Sequence, residues 1–311
     1  MSQPTNPGSS AAAPGFGGQS SEAGVIHDIG FRHYTGPRLG RGYLLRSLYV
    51  ESLKGAYGLG RSAKSKVFPF ILLGVMVLPA TIIAIVASVT NADKLPLQYT
   101  SYPLQLQFVI AIFLASQAPA SVSRDLRFKV MPLYFSRPLS RNDYVLAKFA
   151  ALTSALFILI SVPLLVLYLG ALLAKLPFWA QTRGVLGALI GAAIFSVVLA
   201  AIGLLIASIT PKRGFGVAAV ITVLLLLALI SGILQGISLD QGSKTLAGYL
   251  GAIAPFTLVD GVQVWLFGAD PSSQAGPPGT TGGVVFALIT VAVVAACCSL
   301  LLLRYRKVAA S

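Results

Sequence analysis

The side chains that do chemistry are few in this chain of 311 residues, and their placement is uneven. There are two histidines, His27 and His33, both ahead of the first long apolar run, with no Cys or third His beside them. That is too few ligands for a metal site. The two cysteines, Cys297 and Cys298, are adjacent inside an apolar run and read as small apolar filler. No His-Glu-x-x-His is present, and no Gly-x-x-x-x-Gly-Lys-Ser/Thr; the nearest run, 236–244, has the wrong spacing. No side chain set points to catalysis, and no cofactor is expected. The chain lacks an ATP-binding loop of its own. What remains is one dense basic cluster: Arg124, Arg127, Lys129, Arg137, Arg141 and Lys148, with Asp125 among them.

That cluster lies between apolar runs, and the runs set the fold class. Hydrophobic residues make up 56% of the chain and charged residues 10%, where a soluble domain carries about 25% charged. Several runs reach the roughly 20 residues needed to cross a hydrocarbon core of about 30 Å. The expected fold is an all-α membrane protein with six transmembrane helices: 67–89, 104–122, 144–173, 184–209, 215–237 and 284–303. Segments of about 10 alternating residues, the mark of a β-barrel, are not seen. The net charge of +14 does not argue for nucleic acid, because the basic residues flank the spans. With both termini cytoplasmic, 19 of the 23 Lys and Arg fall inside; only Lys94, Lys175, Arg183 and Lys244 fall outside. Excess Lys/Arg in short loops marks the cytoplasmic side.

The remaining segments follow from that frame. Residues 1–24, rich in Ser, Gly and Pro with no Lys or Arg, read as a disordered cytoplasmic tail. Residues 25–66 hold a polar arm and, at 42–57, an amphipathic helix expected in the membrane interface. Its apolar face is Leu44, Leu45, Leu48, Tyr49, Leu53 and Tyr57, and its polar face is Ser47, Glu51 and Lys54. A helix packed on a soluble partner is the other reading. Ser140 to Asp143 matches a capping box that would start the third long helix, and a short helix is expected within 124–135. Gln117 sits in the second span and either packs against another helix or lines a path. Gly187-x-x-x-Gly191 is a close-packing pattern in the fourth span. Residues 175–183 read as a short outer loop. Residues 238–283 form the longest outer connection; its apolar middle is broken by Pro255 and holds Asp260, so one or two short re-entrant or interfacial helices are expected there. A cytoplasmic tail, 304–311, closes the chain.

Three passages together resemble the ABC-2-type permeases, the membrane subunits of bacterial ATP-binding-cassette exporters. The first is the inner loop Arg124-Asp125-Leu126 through Leu133-Tyr134-Phe135-Ser136-Arg137-Pro138-Leu139-Ser140-Arg141, then Tyr144 and Lys148. The second is Ala254-Pro255-Phe256 with Val259-Asp260-Gly261-Val262, and the third is the amphipathic helix. The resemblance covers about residues 26–307. It implies a non-catalytic subunit of the bacterial inner membrane that forms a pathway with a second permease chain. Separate ATPase subunits would bind the ATP and dock on the 124–141 loop. Arg124, Asp125, Arg127, Phe128, Leu133, Tyr134, Arg137 and Arg141 would be the coupling residues, with membrane lipids around the spans and no nucleic acid partner. The alternatives are an ATP-independent channel, which the scarcity of intramembrane charge disfavours, and a membrane scaffold or assembly factor.

Overall fold

A computed structural model describes residues 36, 40–60, 62–90, 94–127, 140–210 and 212–308; for 123–127, 141 and 306–308 only the backbone is described. The expected tail 1–24, and residues 309–311 at the other end, lie outside the described residues. Among those described, every regular element is a helix. In chain order they are α1 (Arg41–Ala56), α2 (Ala63–Val89), α3 (Tyr102–Gln105), α4 (Gln107–Arg127), α5 (Arg141–Leu173), α6 (Phe178–Ile209), α7 (Arg213–Asp240), α8 (Lys244–Leu250), a 3-10 turn (Gly251–Ile253), α9 (Pro255–Phe267) and α10 (Gly279–Val308).

Five of these, α2, α5, α6, α7 and α10, are long and apolar enough to cross a membrane, which makes the chain a multi-pass membrane protein. The apolar part of α4, Gln107–Val122, is shorter. It is nonetheless central: Ile110, Phe113, Leu114, Ala115 and Ala118 are fully buried. The core is built from α4, α5 and α6, with α1 packed along α5. The outer faces of α2, α7 and α10 carry exposed apolar side chains such as Leu78, Ile82, Leu226, Ile233, Leu288 and Val291. Prolines mark where helices begin: Pro177 is the N-cap of α6 and Pro255 opens α9. A proline in the first turn removes an amide that has no intrahelical partner anyway. Pro69, Pro79, Pro119 and Pro163 lie inside long helices, as apolar bundles tolerate.

Helix bounds differ from the sequence reading by a few residues at most ends, and the expected second span, 104–122, is divided at Leu106 between α3 and α4. Helix α6 begins at Phe178, so most of the expected loop 175–183 is helical. Polar residues such as Gln181, Thr182 and Arg183 extend a helix past its apolar stretch when a tight turn precedes it. Here that turn contains Lys175 at φ 58°. The short helix expected within 124–135 falls mostly outside the described residues; at 124–127 the backbone continues α4.

Candidate functional site

The two ends of the bundle hold the polar structure, and the end that carries the basic loop is organised by one carboxylate. Ser140 is the N-cap of α5, with extended backbone at φ −77° and ψ 157°. Its Oγ accepts from the Asp143 amide at 3.2 Å, and Asp143 Oδ2 accepts from the Ser140 amide at 3.0 Å. This reciprocal box satisfies two amides that a helix start leaves open. Asp143 does a second job. Arg41, the first residue of α1, donates Nε to Oδ2 at 2.7 Å and Nη2 to Oδ1 at 2.6 Å. The fork of a guanidinium matches both oxygens of a carboxylate, and such charge-assisted pairs are the strong ones. The Asp143 side chain is 5% exposed while that of Arg41 is 65% exposed. The hydrogen bond to Asp143 and its negative charge raise the Arg41 guanidinium further above its already high pKa.

Two more contacts fix α1 along α5. Tyr49 donates its hydroxyl to Ser154 Oγ at 2.8 Å, and Tyr57 donates to the Ala155 carbonyl at 2.8 Å. The apolar face read from the sequence is the buried one: Leu48 and Tyr57 are in the core, with Leu44, Leu45, Tyr49 and Leu53 packed against it. Ser47, Glu51 and Lys54 are exposed. The partner of that face is the chain's own α5. At this same end Arg304 donates Nε to the Ser208 carbonyl at 3.0 Å, satisfying an open acceptor in the last turn of α6. The rings of Tyr144 and Tyr305 meet at 5.6 Å, and the Lys148 ammonium lies 5.6 Å from the Tyr144 ring centre.

Of the expected coupling residues, Arg124, Asp125 and Arg127 fall in the last turns of α4 and Arg141 is the first residue of α5, each described by backbone alone. Phe128, Leu133, Tyr134 and Arg137 lie outside the described residues. Arg41 was read only as part of the polar arm within 25–66. The signal was available in part: Asp143 had been given a capping role that uses one of its two oxygens.

The opposite end is a helical hairpin with a strap over it. After α7 the chain turns at Gly242 (φ 74°), descends as α8, reverses through Gly251–Ile253 and returns as α9. Ser231 Oγ donates to the Leu250 carbonyl at 3.0 Å and accepts from Gln235 Nε2 at 3.1 Å. Ser231 lies two and a half turns before the end of α7, so the hairpin tip reaches roughly 13 Å below that end. Helix α9 then runs antiparallel to α6. Phe256 meets Phe195, near the middle of α6, at 5.1 Å; Gln263 lies over Gly191 and Phe267 over Gly187. The Gly187-x-x-x-Gly191 pattern is thus a close-packing face, and α9 is what packs on it.

Asp260 sits inside this hairpin, 2% exposed. Its Oδ2 accepts from the Ser272 amide at 3.0 Å. Ser272 in turn donates its hydroxyl to Ser101 Oγ at 2.9 Å, and the Asp270 amide donates to Gln98 Oε1 at 3.2 Å. Tyr99 donates to Gln181 Oε1 at 2.7 Å. The connections after α2 and α9 and the first turn of α6 therefore meet at one end. Gln117 is buried within α4, 8% exposed, and donates to Ser116 Oγ of its own helix at 3.0 Å. Cys297 and Cys298 are free and half-buried. Among the described residues no cluster of His, Cys, Asp and Glu is arranged to hold a metal ion. No protein-family model matches the chain, and no curated protein matches it.

Proposed function

We propose that the chain is the permease subunit of an ATP-driven exporter of the ATP-binding-cassette type, in the inner membrane of a bacterium. It crosses the bilayer six times, α4 included, with both termini in the cytoplasm. The α8–α9 hairpin is a re-entrant element on the outer side. A second permease chain completes the pathway, and a separate ATPase subunit docks on the 124–141 loop and binds the ATP. Lipid covers what the second chain leaves open, and the exposed Arg46 and Lys54 of α1 meet the headgroups.

The observation that carries this reading is the double use of Asp143. The basic loop enters α5 through a capping box, and the same carboxylate clamps α1. On its other side the loop follows α4 without a break as far as Arg127. A force applied to the loop is delivered to two long helices and to α1 together, which is what a coupling element requires. Charge distribution supports the sidedness, since the basic residues gather at this end. The sequence resemblance in the loop supports the identity of the partner.

The test is co-purification in mild detergent with the ATPase encoded nearest to this chain. Wild type retains the ATPase and stimulates its hydrolysis. Asp125→Ala and Tyr134→Ala weaken retention. Asp143→Asn retains the ATPase but loses stimulation, because it loosens the clamp without touching the docking surface. If no ATPase associates, the exporter reading loses its energy source, and a scaffold or an ATP-independent channel takes its place.

A further inference from the structure

The segment 268–278 closes the outer end of the hairpin, and its attachment is unusual. It leaves α9 at Gly268 (φ 63°), contains Pro271, Pro277 and Pro278, and forms neither helix nor strand. Among the described residues, no backbone–backbone hydrogen bond ties 269–277 to another element. Its polar grip comes from side chains instead: the Asp260 carboxylate on the Ser272 amide, Ser101 on the Ser272 hydroxyl, and Gln98 on Asp270. It also lies close on α8, where a methyl added at Gly248 would come within 2.6 Å of the Gly276 carbonyl oxygen.

Asp260 explains why the strap needs to be there. A buried carboxylate is costly unless donors satisfy it. Among the described residues no Lys or Arg forms an ion pair with Asp260, and its donors come from the strap, with the Ser272 amide at 3.0 Å. The strap down means a solvent-free carboxylate held by an amide. The strap lifted means a carboxylate in water and a strap released from the connection after α2. Intermediate positions lose the hydrogen bond without gaining water, so the arrangement favours two states. Lifting breaks few contacts, because no ladder of backbone bonds has to be undone.

We propose that residues 268–278 are the outer gate of the chain, latched shut by Asp260 with Ser101. This rests on the exporter reading and adds to it the moving part on the outer side. Asp260 and Ser101 are positioning residues: they hold the gate and need not touch what passes it.

Hydrogen exchange of the purified chain in lipid nanodiscs tests the latch. Asp260→Ala speeds exchange of the Ser272 amide by about tenfold or more, the effect of losing a hydrogen bond to a charged group. Asp260→Asn keeps an acceptor and stays within about threefold of wild type. Peptides from α5 and α6 are unchanged in both, which separates gate release from unfolding. The gate itself is tested in the complex with the ATPase. Vanadate trapping with ATP raises exchange across 268–278, and an oxidised S101C/S272C pair, in a chain with Cys297 and Cys298 replaced by Ala, suppresses that rise while the ATPase stays bound. If Asp260→Ala leaves the strap protected, the latch is wrong. If the ATPase binds and turns over with the strap unmoved, the segment is a fixed cap and the exporter reading survives without it. If no ATPase binds, the exporter reading fails and the gate fails with it.

Discussion

The seat of α9 on α6 can be tested by adding one methyl group at each of two glycines a turn apart. A Cβ built at Gly191 falls 2.4 Å from Gln263 Cδ, 2.5 Å from Oε1 and 2.8 Å from Cγ. Unbonded carbons prefer roughly 3.5–4.0 Å, so the side chain must retreat by more than about 1 Å. Gln263 is 5% exposed and has little room to do so. Overpacking of this kind costs about 1–3 kcal/mol, and Ala in place of Gly returns up to about 1 kcal/mol of helix propensity. Gly191→Ala should therefore destabilise by about 1–2 kcal/mol net. At Gly187 the nearest atom is Phe267 Cγ at 3.2 Å, a deficit of a few tenths of an ångström. Gly187→Ala should be neutral within about 0.5 kcal/mol, or slightly stabilising. Reversible unfolding in mixed micelles of mild detergent and SDS gives the free energies. The double variant Gly191→Ala with Gln263→Ala closes the cycle: the new methyl enters the space the amide left, so the two changes couple favourably by about 1–2 kcal/mol. Equal effects at the two glycines, or no coupling to Gln263, would refute the packing of α9 on this face.

Other consequences concern the basic-loop end. Ser140→Ala removes the acceptor for the Asp143 amide and lowers stability by about 1 kcal/mol in the same assay, while Ser140→Thr retains most of it. Tyr57→Phe deletes the bond to the Ala155 carbonyl and costs about 0.5–1.5 kcal/mol in that assay. Arg41→Asp turns the clamp into a like-charge contact and speeds hydrogen exchange across 41–56. Adding Asp143→Arg to Arg41→Asp restores the attraction and slows it again, though not fully, because the capping box is gone. Unchanged exchange in the single variant would mean that Tyr49, Tyr57 and the apolar face hold α1 without the ion pair.

What could be read from the sequence was the local part. The capping box spans three residues, so Ser140 and Asp143 announce it without any knowledge of the fold. The apolar face of α1 follows from helical periodicity alone, and the break at Pro255 from proline's missing amide. The partners of these features could not be read. Arg41 and Asp143 are 102 residues apart, and Asp260 and Ser272 are joined by a loop whose Pro and Gly content marks a turn but not its destination. The face of α1 was assigned to the membrane surface because amphipathicity is the same whether lipid or α5 covers it. Gly187 and Gly191 gave the closeness of a contact without naming α9. The start of α6 was misplaced because hydropathy measures where the apolar stretch begins, and a helix continues beyond that wherever its backbone bonds do.

The distribution of polar contacts constrains how any motion must travel. Between the two ends the centres of α4, α5 and α6 are joined by apolar packing, with Phe113, Leu156, Leu159 and Leu199 among the fully buried residues. Such packing is dense and non-directional: it resists compression, yet it pins a helix to no single register as an ion pair does. The directional contacts of Arg41 with Asp143, Arg304 with Ser208 and Asp260 with Ser272 lie toward the two ends, while Tyr49 with Ser154, Tyr57 with Ala155 and Ser231 with Leu250 lie deeper. Under the proposed coupling role, a push on the loop at Ser140 moves α5 with α1 attached. Helix α6 packs along α5 and carries α9 on its Gly187–Gly191 face, so it is the element through which that movement reaches the hairpin. A bundle arranged this way needs no charged relay between its ends. It needs helices that move together, and the apolar core with the contacts of Asp143 joins α1, α4, α5 and α6.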